Sequence, residues 1–542
     1  MKKIIYLLLL LLFLSVGFFV GDNRARVENK LNKLFVDQTE TVVASAFVGL
    51  ALKKYKVEVA REGNGGGITS VRNDVLLLTH EGSFFLSNQA GLKKKLAISP
   101  PDNGYLDYVE MAKTSALDGL RHDFSSFRYN DVLYYEQSGK GSLVVSYTYF
   151  DKDNVCYSNA VSRLSLAINK IPVIENVSAN ADDWQLLYQS QPCLPLKDKY
   201  RAIEGHMAGG RIAFQAPSTL WLTSGDYHWD GVYADKAIAQ SPDYDYGKVI
   251  SINLDSAAHR VVASGLRNMQ GIVVDNRGQV WTAEHGVSGG DELNLIYDGG
   301  NFGWPLETLG TQYGGLPIPG TLSFGRHDQF QAPSYSWLPS VGLSNVTFVD
   351  GFHPTWDGDL LAASLSGKSL FRLRVDNKVV IYSEPIVLGY RIRYVHQHTD
   401  GRLVLWTDDK HLIFIQAQEN GNLFAFIDRY LEKNNIPVEK AEGVRAVVSA
   451  CLECHSFESG DNVKSPSLSS VYGSDIASKD YKFYSTALKS VGGKWNRDNL
   501  VEFLSSPQQF SPGSTMPPQN ISDKEQINLL IDLLIAFQEN PI

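Results

Sequence analysis

A chain of 542 residues with 44% apolar and 20% charged side chains has the composition of folded globular protein, with room for two to four domains or for one large β domain and a small companion. Its net charge of -9 arises without long acidic runs and leaves no basic excess to hold a polyanion, which argues against nucleic acid as a partner. The first residues, MKKIIYLLLLLLFLSVGFFV, set Lys2 and Lys3 ahead of an apolar run from Ile4 to Val20, the length of a signal h-region or a short span. Residues 1–24 therefore read as a signal peptide or an N-terminal membrane anchor, with the basic end cytoplasmic and the remainder exported to the periplasm. Ser15-Val16-Gly17 offers a cleavage site, whereas Phe18 to Val20 prolong the run, so residues 4–20 stand equally as a tether to the inner membrane. Residues 25–54 read as a polar, partly helical connector.

From 55 to 420 the helical period is scarce and short apolar runs alternate with Gly, Asp, Asn and Ser turns, the pattern of β structure. One phrase recurs: a short β run, a polar turn, then a run rich in Leu, Val and Trp. It appears as GRIAFQAPSTLWLTSGD, QGIVVDNRGQVWTAEHG, NVTFVDGFHPTWDGDLLAAS and RIRYVHQHTDGRLVLWTDD, starting at Gly210, Gln270, Asn345 and Arg391. Those starts lie 60, 75 and 46 residues apart, irregular but of the size of a four-stranded blade with insertions, so the expected fold is mainly β, a propeller. Residues 60 to 180 carry the pattern weakly and read as one or two divergent blades with exposed loops. Near 436 the period becomes helical, and residues 436–542 form a small all-α domain whose last helix has Ser522 as N-cap and Glu525 completing a capping box.

Four cysteines are present. Cys156 and Cys193 are either a disulfide of an oxidising compartment or two buried thiols, a choice their spacing leaves open. Cys451-Leu-Glu-Cys454-His455 is the attachment signal of c-type haem: two thiols form thioethers with the vinyl groups and the following imidazole becomes an axial iron ligand. The loop SPGSTMPPQNIS supplies Met516 for the other axial position, and no histidine follows His455 to compete with it. Pro466 is placed to accept the ring N–H of His455 at its carbonyl. With Cys451, Cys454, His455, the Pro466-Ser-Leu468 phrase, the Trp495 helix and Met516-Pro517, this segment resembles class I c-type cytochromes.

The most informative stretch upstream is SGLRNMQGIVVDNRGQVWTAEHGVSGGDELNLIYDGGNFGWPLE. Here the chain resembles the soluble aldose and glucose dehydrogenases, of the sorbosone type, that use pyrroloquinoline quinone (PQQ) on a six-bladed propeller. That family writes Gly-x-Arg-Asn-x-Gln-Gly, then Glu-His-Gly-Pro-x-Gly-Gly-Asp-Glu-Leu-Asn, then Gly-x-Asn-Tyr-Gly-Trp-Pro, and the likeness runs in that order from about Asp183 to Asp409. The resemblance implies a six-bladed β-propeller followed by a small all-α cytochrome c domain. It implies His206, in EGHMAGGRIAF, as the catalytic base, and Arg267 with Asn268 against the quinone. Lys368, Arg391 and Arg393 are implied as PQQ-binding cations. Trp337 and Ser340 are implied as part of the wall, and the carbonyls of Gly286 and Val287 as Ca²⁺ ligands. Val287 departs from the family's Pro.

These residue types suit the chemistry independently. A tricarboxylate with an ortho-quinone needs several fixed cations of fork geometry, and oxidation of an alcohol or hemiacetal needs a base near working pH. His285 and the Asp291-Glu292 pair are weaker candidates, equally suited to bonding loop amides. The expected protein is an exported quinohaemoprotein that oxidises a sugar or related polyol and passes electrons through one covalent haem c to a downstream cytochrome or respiratory chain. The alternative is a non-enzymatic ligand-binding propeller whose haem transfers electrons or senses redox state.

Overall fold

The computed structural model describes residues 40–45, 48–57, 66–88, 91–114, 120, 125–137, 139–166, 174–198, 202–232, 234–418, 421–452, 454–455, 465–479, 481, 483–514, 516, 521 and 523–539. The leader and tether expected within residues 1–24 lie outside the described residues. The chain divides into two compact units, one built mainly from 52–352 and 356–415, the other mainly from Gln416 onward.

The first unit is carried by six sheets of four or five strands, built on antiparallel hairpins, with one parallel pair where Gly300–Asn301 joins His259–Ser264 at the edge of the third. Four of the blade hairpins coincide with the recurrent phrase: Gly209–Gln215 with Thr219–Ser224, Met269–Val274 with Val280–Glu284, Leu343–Phe348 with Leu360–Ser364, and Ile392–Gln397 with Leu403–Thr407. The turn chemistry explains the recurrence. Asp275 accepts from the amides of Arg277 (2.9 Å) and Gln279 (2.8 Å), and its second oxygen accepts from Trp281 Nε1 at 3.1 Å. The aspartate thus closes the turn and ties it to the Trp of the next strand.

The weakly patterned region 60–180 holds two complete blades. One comprises Gly66–Val71, Asp74–Thr79, Phe84–Asn88 and Gly91–Lys95; the other Tyr129–Gln137, Lys140–Asp151, Cys156–Leu166 and Gln185–Gln189. The helix Tyr105–Thr114 lies between them in the chain. The connector reading needs correction: Glu40–Ser45 and Val48–Lys56 are strands, and the second lies beside His411–Gln418 in the sixth sheet. Its run VGLALKKYK has a single β-branched residue, Val48, and three lysines, and its place in a sheet is a tertiary pairing that no local period or propensity announces.

The innermost strands of successive blades neighbour one another around a closed ring, the last returning to the first. Apolar clusters fill the gaps between sheets. Val144 and Val161 meet Leu220, Leu222, Ile250 and Ile252 between the second and third blades, and Trp281 and Leu293 meet Val346 and Leu360 between the fourth and fifth. Each such fully buried side chain contributes roughly 1.5–3 kcal/mol.

At the centre, buried Arg211 replaces apolar packing. Its Nη1 donates to Tyr394 Oη (2.6 Å), Asn130 O (2.9 Å) and Gly66 O (3.2 Å), and Nη2 to Gln270 at 3.4 Å. One guanidinium therefore fastens strands of four other blades to its own. Asp131 lies 3.9 Å from it and accepts from Ile212 N at 3.0 Å. Burial pushes the Asp131 carboxyl from 3.8 up to about 6, against the pull of Arg211 and two backbone amides.

A raised folded-state value means a contribution to stability that is present below about pH 4 and lost as pH rises through 6. Between pH 4 and 7 the stability of Asp131→Asn should therefore improve relative to the parent by up to roughly 3 kcal/mol, about two pKa units at 1.36 kcal/mol each. Chemical denaturation at both pH values reads the gap; a pH-independent gap contradicts the assignment.

The second unit is helical, with Gly421–Lys433, Val438–Leu452, Thr486–Val491, Arg497–Ser505 and Lys524–Glu539 as its main helices. The helical region begins at Gly421, earlier than the 436 read from the period. Ser522 lies outside the described residues; Asp523 Oδ1 accepts from Glu525 N at 2.8 Å and performs the capping. The core gathers Val444, Val448, Trp495, Phe503, Ile527, Ile531 and Leu534.

Candidate functional site

In an antiparallel blade the start of the innermost strand and the turn between its second and third strands lie at the same end. His206 precedes Gly209–Gln215, Arg267 and Asn268 precede Met269–Val274, Ser340 precedes Leu343–Phe348, and Arg391 opens Ile392–Gln397. Gly286 and Val287 follow Val280–Glu284, and Lys368 follows Leu360–Ser364. These residues, scattered over 188 positions from His206 to Arg393, thus lie at one mouth of the channel.

Hydrogen bonds join them in sequence around that mouth. The segment Gly225–Tyr227 bonds the His206 turn on one side (Gly225 N to Ala208 O, 2.9 Å; Tyr227 N to Met207 O, 3.1 Å) and Arg267 on the other (Asp226 N to Arg267 O, 3.0 Å). Asn268 Oδ1 accepts from Gln270 Nε2 at 2.8 Å and Gly209 N at 3.4 Å. Asp291 accepts from Gly286 N (2.9 Å), Ser340 Oγ (2.5 Å), Val341 N (2.8 Å) and Gly342 N (2.6 Å). Gly367 N donates to Val341 O (2.9 Å), and the carbonyl of Lys368 accepts from Leu388 (3.1 Å) and Gly389 (3.0 Å), which lead to Arg391. Asp291 is therefore a buried clamp on two loop segments, the backbone-bonding role weighed for it above. Trp337 is packed in the core against Phe371 and Tyr335, and so lies within a blade.

Arg267 is buried under Trp304, with its guanidinium 5.2 Å from a ring centroid, and donates Nη1 to the carbonyls of His285 (3.0 Å) and Gly286 (2.8 Å). Its Nε has no partner among the described residues. The Gly286 carbonyl is thus occupied by a cation from the protein itself, and Val287 is packed against Ala239, Trp304 and Ile318. A Ca²⁺ at these carbonyls would have to share or displace the guanidinium, a constraint absent from the sequence. Trp304 Nε1 donates to Asp226 at 2.7 Å. Burial and the adjacent Asp230 push the Asp226 carboxyl up to about 7, with Arg267 pulling the other way.

Sequence reasoning missed Asp408, Arg128 and Glu284. Asp408 takes Arg393 in a fork, Nε at 2.8 Å and Nη2 at 2.9 Å, and also accepts from Arg391 Nε at 3.2 Å. One carboxylate thereby orients both arginines and offsets part of their charge. Arg128, buried, has Arg393 and Arg211 as electrostatic neighbours; burial first, then those two cations, bring it down to about 10. His285, between Asp291 and the Arg267, Arg393 and Arg211 guanidiniums, is held down to about 4, mainly by burial, and is neutral at physiological pH. Glu284 accepts the Arg267 amide at 2.8 Å; burial and neighbouring Glu292 push it well above the carboxylate range. Lys368 is exposed, and its ammonium has no partner among the described residues. The mouth therefore carries a group of cations, some clamped and some with N–H groups to spare, beside a histidine.

A match to the family described as Glucose / Sorbosone dehydrogenase spans residues 116–415, more than half of the chain. The chain belongs to that family. An uncharacterized protein, slr1608 of Synechocystis, is 32% identical over 250 residues, 42% of this chain and 58% of that protein. The aldose sugar dehydrogenase YliI of Escherichia coli is 27% identical over 361 residues, 62% of this chain and 85% of its own. A solved apo structure of the soluble aldose sugar dehydrogenase of E. coli shares the fold, with TM-score 0.53 and 21% identity over 68% of this chain and 100% of that one. The C-terminal part matches cytochromes c: that of Stellaria longipes is 30% identical over 94 residues, 17% of this chain and 87% of its own, which places this part in the cytochrome c family.

Within that part, Cys451 closes the helix Val438–Leu452, and His455 N donates to Cys451 O at 2.8 Å. Cys451 and Cys454 form no disulfide; Cys451 is buried, and burial pushes its thiol up to about 11. His455 Nδ1 lies 2.7 Å from Pro466 O, where it donates and leaves Nε2 with the lone pair an iron requires. Burial holds this ring below the ordinary imidazole value. Met516 packs half-buried against the helical core. Cys156 and Cys193, left open by sequence, are joined as a disulfide with their Cα atoms 5.7 Å apart.

Proposed function

We propose that this protein is an exported sugar dehydrogenase that uses PQQ and delivers electrons to a covalent haem c. One observation carries the reading. His206 and the cations Arg267, Lys368, Arg391 and Arg393 meet at one channel mouth of a glucose/sorbosone dehydrogenase-family propeller, on a chain that also bears Cys451-x-x-Cys454-His455.

The donor set suits a tricarboxylate. Lys368 has its ammonium available, Arg267 keeps an unpartnered Nε, and Arg393 commits only Nε and Nη2 to Asp408, out of five N–H groups. When bound, PQQ supplies the quinone that accepts the two electrons of the oxidised alcohol. His206 takes the proton of the substrate hydroxyl. Arg267, fixed by two carbonyls and the Trp304 face, presents positive charge to an oxygen that becomes more negative during the reaction. Asn268 is held by Gln270 and Gly209 beside it. A Ca²⁺ in this reading would be held by the carbonyls of Gly286 and Val287, the first shared with Arg267 Nη1 through its second lone pair.

In the helical part Cys451 and Cys454 would hold a haem through thioethers and His455 and Met516 would ligate its iron, a His/Met pair whose chemistry would give a higher potential than two histidines. The leader sequence and the Cys156–Cys193 disulfide support an oxidising, extracytoplasmic compartment. Among the described residues no helix is long and apolar enough to cross a membrane. The substrate is an aldose or related polyol, and the acceptor beyond the haem another cytochrome or the respiratory chain.

Expression with haem maturation, addition of PQQ, and observation of the haem bands as aldoses and simple alcohols are supplied tests the reading. Haem reduction should require both PQQ and sugar. A protein that binds no PQQ, or whose haem is indifferent to every sugar, leaves the ligand-binding alternative in its place.

A further inference from the structure

We propose that Glu204 is a positioning residue for His206, an inference that rests on the reading of His206 as the base. Glu204 Oε2 lies 3.3 Å from His206 Nδ1. Two half-exposed side chains at that distance would mean little on a mobile surface, but here the backbone builds the encounter. Gly205, between them, adopts φ 68°, and a Cβ there would sit 2.0 Å from Ser125 O and 2.6 Å from Ser126 Cα, so the turn is pressed against a neighbouring loop with no side chain allowed. Met207, immediately after, is also left-handed, with φ 59°. The chain is tied down on both flanks: Ile203 N donates to Leu196 O at 2.8 Å, and Met207 O and Ala208 O accept from Tyr227 and Gly225. Upstream, Leu194 pairs with Tyr157 beside the Cys156–Cys193 disulfide. The wall next to the pair is formed by Tyr157, Leu196, Tyr227 and Trp229, around a cavity of about 20 Å³.

The chemistry follows from the nitrogen involved. A carboxylate beside Nδ1 accepts the Nδ1–H and so selects the tautomer whose lone pair is on Nε2, the nitrogen then able to take the hydroxyl proton. When Nε2 gains that proton, the O–H bond of the substrate breaks and an imidazolium forms, and the same carboxylate stabilises its charge. The O–H electron pair becomes the second bond of the product carbonyl, and the C–H bond breaks with its own pair leaving as hydride, for which PQQ would be the two-electron acceptor. Glu204 acts only through the imidazole and touches neither substrate nor cofactor.

The test uses full-length protein carrying Glu204→Ala or Glu204→Asp. With ¹⁵N-labelled histidine and no PQQ present, NMR of the parent should show His206, assigned by comparison with His206→Asn, as the Nδ1–H tautomer. Glu204→Ala should lose that preference and Glu204→Asp keep it. With PQQ and aldose, kcat of Glu204→Ala should fall about 10- to 100-fold, the range for removing a group that orients a histidine. KM should change less than about twofold, and Glu204→Asp should recover most of the rate. An unchanged tautomer in Glu204→Ala overturns the proposal whatever the activity. A tautomer that responds as stated, in a protein inactive on every sugar, upholds the pairing and counts against the dehydrogenase reading alone.

Discussion

His206→Ala is expected to lower PQQ-dependent haem reduction by sugar 10²- to 10⁴-fold while leaving PQQ affinity unchanged. General-base assistance is worth that factor, equivalent to about 3–5 kcal/mol of barrier at 1.36 kcal/mol per tenfold. Affinity should survive because the groups suited to carboxylates are Arg267, Lys368, Arg391 and Arg393, held by contacts that do not involve the imidazole: Asp408 for the two arginines of the sixth blade, the His285 and Gly286 carbonyls for Arg267. The half-exposed His206 belongs to no apolar core cluster, so its truncation leaves no buried cavity. Stopped-flow absorbance of the haem at saturating sugar gives the rate, and fluorescence titration gives PQQ affinity. A rate within threefold of the parent would remove His206 from the role of base.

The second large effect separates the two halves of the reaction. Cys451→Ala with Cys454→Ala should abolish covalent haem, seen as loss of haem-linked peroxidase staining on a denaturing gel. Sugar-dependent reduction of a soluble dye by the PQQ-loaded protein should continue near the parental rate. Oxidation of the sugar needs only the residues at the channel mouth, whereas delivery one electron at a time needs the iron. Cys451 is buried against the helical core, so its truncation costs about 1 kcal/mol locally. The propeller has its own inter-sheet cores and does not depend on that packing. Loss of dye reduction together with the haem, in a protein whose β signal is intact, contradicts this division of labour.

The parts of the protein legible in sequence are those whose signal is local. A blade hairpin writes itself within twenty residues because side chains alternate with period two and the turn needs an Asp or Gly at a set place, as Asp275 and Trp281 show. The haem segment is legible for a similar reason: two thioethers and an axial imidazole must come from one turn of chain. Convergence of His206, Arg267, Lys368 and Arg391 was legible only through several motifs read together in a known order. The blades between 60 and 180 were blurred because their phrases diverge while their burial pattern persists. The strand Val48–Lys56 was misjudged because its partner strand lies more than 350 residues away in the chain.

By itself, then, the sequence determined the β period of the large domain, the helical period of the small one, the Cys-x-x-Cys-His segment and the positions proposed for base and cations. Only the tertiary structure decided how those positions are held and charged. Asp408 gathers Arg391 and Arg393, Asp291 binds Gly286 to Ser340, Arg267 claims the Gly286 carbonyl, and Arg211 joins Gly66 to Tyr394 across the channel. The physical reason is the same in each case. These are hydrogen bonds and ion pairs between groups from different loops, within one blade for Asp408 and Arg267 and between blades for Arg211 and Asp291, and the partners meet only once the strands between them have folded, after which a buried charge must be met by the group brought to it.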